Sequence, residues 1–224
     1  MMDRILFQDT TLRDGDQTPG VNFSVSQKEE LARLLEDAGV DFIEAGFPAA
    51  SPGDFKAVQS IAAALKHAGV TALARANEKD IEAARDALCG AAHPRIHVFL
   101  ALSDLHLKEK LNLSREDALD AIDRSVRLAR NYCDDVEFSA EDATRADRAF
   151  LAQAFRRAAE AGASVLNVPD TVGVSTPAEF ADLITYLKNA DGLRGKCFSV
   201  HCHNDLGLAV SNTLSGLAAA VLLY

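Results

Sequence analysis

The 224-residue chain has no block of basic residues, and its basic side chains are outnumbered by acidic ones. It carries 23 lysines and arginines against 33 aspartates and glutamates, which gives a formal net charge of −10 at pH 7. Because nucleic-acid binding depends on cationic contacts to phosphates, this balance argues against a nucleic-acid partner. No stretch reaches the roughly 18 consecutive apolar residues of a membrane span, and Asp3, Arg4 and Asp9 interrupt the apolar run near the N-terminus. We therefore expect neither a signal peptide nor a membrane partner.

Cysteine is also scarce. The chain has four cysteines and no C-x-x-C pair, so nothing in their spacing indicates a disulfide framework or a zinc ribbon. We interpret them as reduced thiols of a cytoplasmic protein. In other respects, with 48% hydrophobic and 25% charged residues, the composition is that of an ordinary globular protein, and the length suits one domain.

Short apolar runs alternate with longer amphipathic ones along the whole chain. This alternation predicts seven βα units and hence a parallel sheet with helical crossovers. The predicted strands are Ile5–Gln8, Phe42–Ala45, Thr71–Ala74, Ile96–Leu100, Asp135–Phe138, Ser164–Val168 and Cys197–His201. The predicted helices lie near residues 27–37, 53–67, 78–88, 115–130, 147–160, 177–188 and 207–220.

Local signals mark several of the predicted helix ends. Ser26 with Glu29 has the spacing of an N-cap pair, in which a side chain satisfies a free backbone N–H group. Gly39, Gly69 and Gly162 each follow an alanine at the end of an amphipathic run. This pattern predicts helix ends at which glycine takes the left-handed conformation.

Reactive side chains follow nearly every predicted strand, and they distinguish between two parallel-sheet folds. Sites assembled from many strand ends are typical of TIM barrels, whereas a doubly wound sheet concentrates its site at one switch point, usually with a glycine-rich first turn. Gly15 and Gly20 do not form the G-x-G-x-x-G pattern of such a turn. We therefore predict an α/β fold of the TIM (β/α)₈ type. Since only seven βα units are visible, we expect residues 1–224 to be a catalytic barrel domain that stops before its eighth strand.

The segment His201-Cys202-His203 ends the last predicted strand. Side chains alternate along a strand, so both imidazoles lie on one face and Cys202 lies on the other. In a barrel, the first and seventh strands are separated only by the eighth, so an acidic residue after the first strand can face this pair. By spacing alone, either Asp9 or Asp14 can supply a carboxylate. One carboxylate with two imidazoles suits a divalent ion that keeps open positions for water and substrate.

Two motifs carry a resemblance to a known family. Asp9–Gly15 (DTTLRDG) and His201–Gly207 (HCHNDLG) resemble the motifs of the 2-isopropylmalate, homocitrate and citramalate synthase family. These acyltransferases have a TIM barrel and are related to 3-hydroxy-3-methylglutaryl-CoA lyase. The resemblance covers roughly residues 3–216. Between the two motifs, the sequence continues to resemble the isopropylmalate branch of the family. The intervening segments are 43–55, 73–77, 95–99, 136–142 and 169–173.

The resemblance implies roles for individual residues. Asp14, His201 and His203 match the metal ligands of the family. Arg13 matches an arginine that stabilises a developing enolate or alkoxide oxygen, and Glu141 matches an acidic residue of the proton transfers. Asp16 stands where the family usually has Glu. The positions that match the surroundings of the substrate are Gln17, Glu44, His97, Ser139 and Thr171.

The implied reaction is a Claisen condensation of acetyl-CoA with a 2-oxo acid, assisted by Mn²⁺, Mg²⁺ or Zn²⁺. The leading substrate is 2-oxoisovalerate, which gives 2-isopropylmalate for leucine biosynthesis. The family's fourth metal ligand, linker and regulatory domain are absent from this sequence, so we expect impaired activity. We also expect the homodimeric state to depend partly on those regions. The alternatives are homocitrate or citramalate synthesis, an aldol-type cleavage on the same site, and a non-catalytic barrel remnant.

Overall fold

A computed structural model describes residues 4–221, and its sheet contains seven strands in the described part of the chain. The strands are β1 (Gln8–Asp9), β2 (Phe42–Gly46), β3 (Gly69–Arg75), β4 (Pro94–Ala101), β5 (Asp135–Glu141), β6 (Val165–Asp170) and β7 (Cys197–Cys202). The helices that follow them are α1 (Val25–Asp37), α2 (Pro52–Ala64), α3 (Glu78–Ala87), α4 (Arg115–Tyr132), α5 (Arg148–Ala161), α6 (Pro177–Asn189) and α7 (Ala209–Val221). The described helices include none that is both long and apolar enough to cross a membrane. Residues 1–3 and 222–224 of the predicted barrel domain lie outside the described residues.

The strands follow one another in the sheet in chain order, from β1 to β7. The pairs β1–β2, β2–β3, β5–β6 and β6–β7 are parallel. In a doubly wound sheet the order reverses at a switch point, whereas in a barrel each strand lies beside its predecessor. The observed order is therefore that of a barrel-type sheet, and the predicted series of seven βα units is confirmed.

The described residues divide into two compact units. The first comprises the residues up to Val98 together with Leu128–Val136. Its core includes the fully buried side chains of Ile43 on β2 and Ile61 on α2. Helix α1 packs against α2, and α2 packs against β2 and β3. This packing fixes the position of the two strands and of the polar side chains at their ends.

The second unit comprises Phe99–Arg127 together with the residues from Glu137 onwards. Three aromatic rings stack edge to face in its core. Phe155 of α5 lies 6.2 Å from Phe138 of β5 and 6.1 Å from Phe198 of β7, measured between ring centroids. These contacts join one helix to two strands, and they fix the strand ends that carry this unit's polar side chains.

The first strand is shorter than predicted. The apolar run Ile5–Gln8 was expected to be a strand, but pairing with β2 begins only at Gln8. Ile5, Leu6 and Phe7 are all exposed, and Phe7 is 68% exposed. A run of apolar residues forms a buried strand only where its side chains have something to pack against.

Gly69 has a different role from the one predicted. Helix α2 ends at Ala64, and Gly69 opens β3 without a left-handed conformation. A Cβ atom at this position would overlap the ring of Phe42 in the neighbouring strand, so glycine is required for close packing. The other two predictions are confirmed, since Gly39 and Gly162 have φ angles of +86° and +115° at helix ends.

The N-terminus of α1 begins earlier than predicted. Ser24 rather than Ser26 is the N-cap, and it forms a reciprocal capping box with Gln27 instead of using Glu29. The side chain of Glu29 instead pairs with Arg33, 2.9 Å away and one turn further along the helix. Several polar residues near a helix start offer competing caps, so spacing alone does not select between them.

Candidate functional site

Glu44 is the centre of the polar cluster in the first unit. It lies on β2 and is fully buried. Its Oε2 accepts a hydrogen bond from Nε of Arg13 at 2.6 Å, and its Oε1 lies 2.7 Å from Nδ1 of His97. Burial raises the pKa of this carboxyl, but the charge of Arg13 and the hydrogen bond from His97 outweigh that effect and lower its pKa to about 2. Glu44 is therefore an ionised group that orients Arg13 and His97.

The turn after β1 holds Arg13 and Asp14 together. The N–H groups of Arg13, Asp14 and Gly15 all donate to the carbonyl oxygen of Thr10, at 3.1, 2.8 and 3.1 Å. Nη1 of Arg13 lies 2.8 Å from Oδ1 of Asp14, and both side chains are partly exposed. A single 3₁₀ turn then ends at Gln17, whose side chain is exposed. The turn thus presents a cation and a carboxylate side by side.

A buried lysine, which the sequence analysis did not identify, holds this turn in place through Asp16. Nζ of Lys28 on α1 lies 2.7 Å from Oδ2 of Asp16 and 3.4 Å from Oδ1 of Asp54. Asp16 also accepts the N–H of Phe23 at 3.1 Å. Burial raises the pKa of Asp16, but the hydrogen bond from Lys28 contributes to a net lowering. The shorter Asp side chain therefore reaches its partner at the position where the resemblance has Glu.

In the second unit, three neighbouring strands are joined by a chain of polar side chains. Oγ of Ser139 donates to Oδ1 of Asn167 at 2.8 Å, and Nδ2 of Asn167 donates to Oγ of Ser199 at 2.8 Å. The three residues are direct neighbours in the register of β5, β6 and β7. This polar ladder holds the hydroxyl of Ser139, a predicted substrate residue, in one orientation.

Glu141 is the last residue of β5, and its carboxylate contacts a lysine on a helical segment, defined here as residues 104–111. Nζ of Lys110 lies 2.6 Å from Oε1 of Glu141. His106, on the same segment, has its Nδ1 3.9 Å from the same oxygen and 3.4 Å from Oδ2 of Asp142. The charged run Asp104–Lys110 therefore supplies two contacts to a predicted catalytic residue.

Thr171 takes part in the backbone geometry next to Glu141. Its Oγ1 accepts the N–H of Asp142 at 2.9 Å. Asp142 is fully buried and has a left-handed backbone, with φ of +64°. Asp170, one residue before Thr171, is also fully buried and accepts hydrogen bonds from Thr144, Ser175 and Asn212. Thr171 thus stands in a hydrogen-bonded frame at the ends of β5 and β6.

His201 and His203 lie side by side at the end of β7. Their ring centroids are 5.0 Å apart, and both residues are half-buried. The N–H of His203 donates to the carbonyl oxygen of Asp170 at 3.2 Å, which ties the chain after β7 to the end of β6. Cys202 contacts Thr213 of α7, and burial raises the pKa of its thiol to about 11. The pair thus projects from one face of the strand, as the alternation predicts.

Asp9, the alternative carboxylate, has a local partner. Its Oδ1 accepts the N–H of Thr11 at 2.9 Å, which is the geometry of a turn stabilised by an Asp side chain. Asp14 instead lies beside Arg13 at the point where the turn begins.

Two of the contacts described above had usable signals in the sequence. His106 and Lys110 are four residues apart, a spacing that places two side chains on one face of a helix. Asn167 and Ser199 carry no such signal, because each is one polar residue inside an apolar strand. Lys28 is equally hard to find, since an amphipathic helix normally carries lysine on its exposed face.

Parallel βα units in chain order, with charged and polar side chains at the ends of their strands, define an α/β protein of the TIM-barrel class. The chain belongs to the HMGL-like family, whose model matches residues 4–221. The solved structures of similar fold include the hydroxymethylglutaryl-CoA lyase of Pseudomonas aeruginosa. It is 23% identical, with a TM-score of 0.78 over 98% of this chain and 73% of that one. The Brucella melitensis HMG-CoA lyase has a TM-score of 0.79 at 20% identity, over 98% of this chain and 79% of that one.

Curated relatives are more similar in sequence. The 2-isopropylmalate synthase of Caulobacter sp. (strain K31) is 52% identical over 216 residues, which cover 96% of this chain and 41% of the relative. That of Pelotomaculum thermopropionicum is 53% identical over 218 residues, which cover 97% of this chain and 43% of the relative. The chain thus spans about two fifths of the length of the curated relatives that it matches.

Proposed function

We propose that this chain carries the catalytic site for a Claisen condensation of acetyl-CoA with 2-oxoisovalerate. The product is 2-isopropylmalate, in the first committed step of leucine biosynthesis. The observation that carries the proposal is the pairing of Arg13 with Asp14, held in place by the buried Glu44. The identity of more than half of the aligned residues with 2-isopropylmalate synthases favours this reaction over its relatives. The same proposal assigns the whole chain to a catalytic barrel domain of a cytoplasmic, homodimeric enzyme.

We propose Asp14, His201 and His203 as the ligands of a divalent ion. They offer one carboxylate and two imidazoles, and they are the residues that match the metal ligands of the family. This donor set suits Mn²⁺ or Zn²⁺ and, with two imidazoles, suits Mg²⁺ less well. When bound, such an ion supplies Lewis-acid polarisation of the 2-oxo acid's carbonyl group.

Arg13 and Glu141 have separate tasks in this proposal. Arg13, oriented by Glu44, directs its remaining N–H donors at the oxygen that becomes negatively charged during the condensation. Glu141 accepts a proton from the methyl group of acetyl-CoA, and the electron pair of that C–H bond attacks the carbonyl carbon of the 2-oxo acid. Water then hydrolyses the thioester and releases the thiol of CoA.

The remaining site residues bind or orient the 2-oxo acid. Gln17 is exposed on the turn after β1, where its amide is accessible to a substrate. His97 is oriented by Glu44, and Ser139 by the polar ladder. Thr171 uses one lone pair of its hydroxyl for the N–H of Asp142, so its O–H group remains a donor for a substrate oxygen.

A thiol-release assay with acetyl-CoA and a panel of 2-oxo acids tests the proposal. We expect a preference for 2-oxoisovalerate, dependent on added Mn²⁺, Mg²⁺ or Zn²⁺. The variant R13A should lose on the order of 100-fold or more in turnover. The matched control R33A removes an exposed arginine of the same unit, whose Nη2 lies 2.9 Å from Oε1 of Glu29 on the same helix, and it should be unaffected.

Other results would replace the proposal. A preference for a different 2-oxo acid would indicate homocitrate or citramalate synthesis. Cleavage of hydroxymethylglutaryl-CoA without condensation would indicate a lyase, the activity for which the structural neighbours are named. Absence of both reactions, with metal binding retained, would indicate a non-catalytic barrel.

A further inference from the structure

We propose that Lys110 is a positioning residue, which holds the carboxylate of Glu141 in the orientation needed for proton transfer. The role of Glu141 rests on the function proposed above; the contact with Lys110 does not. Nζ of Lys110 lies 2.6 Å from Oε1 of Glu141, within the second unit. Among the described residues, the hydrogen bonds and ion pairs of this carboxylate all involve Oε1, so Oε2 is left for a substrate.

The backbone on the C-terminal side of Glu141 is already fixed without Lys110. Asp142 holds a left-handed conformation, which residues other than glycine rarely adopt. Its carboxylate is bound by Arg145 through two contacts of 2.7 Å, and its N–H donates to Thr171. These contacts set the direction of the chain, but they leave the side-chain torsions of Glu141 free. The ammonium group of Lys110 supplies that remaining constraint.

The helical segment 104–111 has an unusual geometry that brings Lys110 to this place. It begins as one α-helical turn, with Ser103 as its N-cap, and continues as a π-helix over Leu107–Leu111. Asn112 closes it in a left-handed conformation with its N–H on the carbonyl of Leu107. Single π-helical turns are rare and occur frequently at functional sites. Because the π turn changes the angular spacing of residues, the position of Lys110 depends on it.

Lys110 is more exposed to solvent than the carboxylate that it contacts. Its side chain is 49% exposed, whereas that of Glu141 is 19% exposed, so water reaches the cation more easily than the carboxylate. An exposed ion pair alone is worth little stability. We therefore expect its removal to alter the reaction and leave folding nearly unchanged.

The kinetic test compares K110M, K110R and the matched control K108M. Lys108 lies on the same segment, is 83% exposed and has its Nζ 2.9 Å from Glu109. K110M should lower kcat at least tenfold and leave KM for both substrates within about twofold, since a misplacement of about 1 Å can cost on the order of 100-fold. K110R should recover most of the loss, and K108M should resemble the wild type. An unchanged kcat in K110M, or a K110R variant as impaired as K110M, would overturn the proposal.

A double variant tests whether Lys110 acts through Glu141. If it does, adding K110M to E141Q should lower kcat by less than twofold beyond E141Q alone, because the carboxylate that Lys110 holds is already absent. If the two losses multiply instead, Lys110 acts elsewhere and the inference is wrong.

A second readout does not need turnover. Reductive ¹³C-methylation labels the lysines of the full chain, and the Lys110 signal is assigned from its loss in K110R. E141Q should shift this signal, while the control E109Q should shift that of Lys108 only. An unmoved Lys110 signal in E141Q refutes the pairing, even if the condensation is observed. Conversely, a shifted signal in a chain without thiol release supports Lys110 as the partner of Glu141 and rejects only the proposed reaction.

Discussion

Nδ1 of His97 lies 2.7 Å from Oε1 of Glu44, and both side chains are buried. Because the carboxylate is ionised and accepts this bond, Nδ1 must carry the proton. The second oxygen of Glu44 is taken by Arg13. One acidic residue thus sets the tautomer of an imidazole and the direction of a guanidinium group at once.

Replacement of Glu44 by Gln should destabilise the protein. The variant leaves the guanidinium of Arg13, whose side chain is only 14% exposed, without its buried counter-charge. Removal of one partner from a buried ion pair typically costs about 3–5 kcal/mol. Urea unfolding should show this loss in free energy of unfolding, and E30Q, a change at an exposed residue of α1, should stay close to the wild type. Equal stabilities for E44Q and the wild type would contradict the described pairing.

The acid stability of the protein should depend on the same residue. The pKa of Glu44 is lowered from 4.5 to about 2 in the folded state, so its contribution is fully present above pH 4.5 and is lost as the pH falls towards 2. A change of this size corresponds to about 3 kcal/mol. Urea titrations from pH 7 to pH 2 should show that the stability difference between wild type and E44Q narrows below pH 4.5. A difference that stays constant over this range would show that Glu44 is not the titrating group.

The variant G69A should be less stable than the wild type. The added methyl group meets the ring of Phe42, and Arg95 packs over this ring with its guanidinium carbon 3.5 Å from the ring centroid. Overpacking of this kind costs about 1–3 kcal/mol. G53A is the matched control, because its methyl group finds only an ordinary contact, 3.5 Å from Oγ of Ser51. Thermal unfolding of both variants measures the difference, and a G69A protein as stable as G53A would refute the steric argument.

Metal binding should depend on His203 and not on Arg13. H203A removes one of three proposed ligands, so calorimetric titration with Mn²⁺ should show affinity reduced at least tenfold. R13A should bind Mn²⁺ nearly as well as the wild type while losing turnover. H67A provides a control at an exposed histidine. Unchanged Mn²⁺ affinity in H203A would mean that the proposed metal site is wrong.

Much of the fold was predictable because its determinants are local. An apolar strand followed by an amphipathic helix, repeated seven times, predicts a parallel sheet, and the reactive side chains after nearly every strand favour the barrel-type order from β1 to β7. The failures arose where the outcome depends on distant partners. The extent of β1 depends on what covers Ile5–Phe7, and the role of Gly69 depends on the ring of Phe42.

The residues of the candidate site also fall into those that the sequence predicted and those that it did not. Arg13, Asp14 and the histidine pair stand in contiguous motifs, so they were visible in the sequence. The contact between Lys110 and Glu141 joins residues 31 positions apart. The spacing of His106 and Lys110 indicates one face of a helix, but it reveals neither the distant partner nor the π-helical turn on which the contact depends. The sequence alone places Lys110 on a solvated surface, which is the usual place for lysine.

The polar ladder of Ser139, Asn167 and Ser199 limits which substitutions these three positions can accept. The side-chain oxygen of Asn167 accepts from one hydroxyl, and its nitrogen donates to the other. A change at Ser139 or Ser199 therefore leaves one polar atom of this buried amide without its hydrogen bond. The three residues should therefore be replaced together. A single replacement should lower the stability of the protein, whereas a matched set of replacements should not. Laboratory selection that targets this row should recover paired or triple changes, whereas a library that varies one codon at a time would miss them.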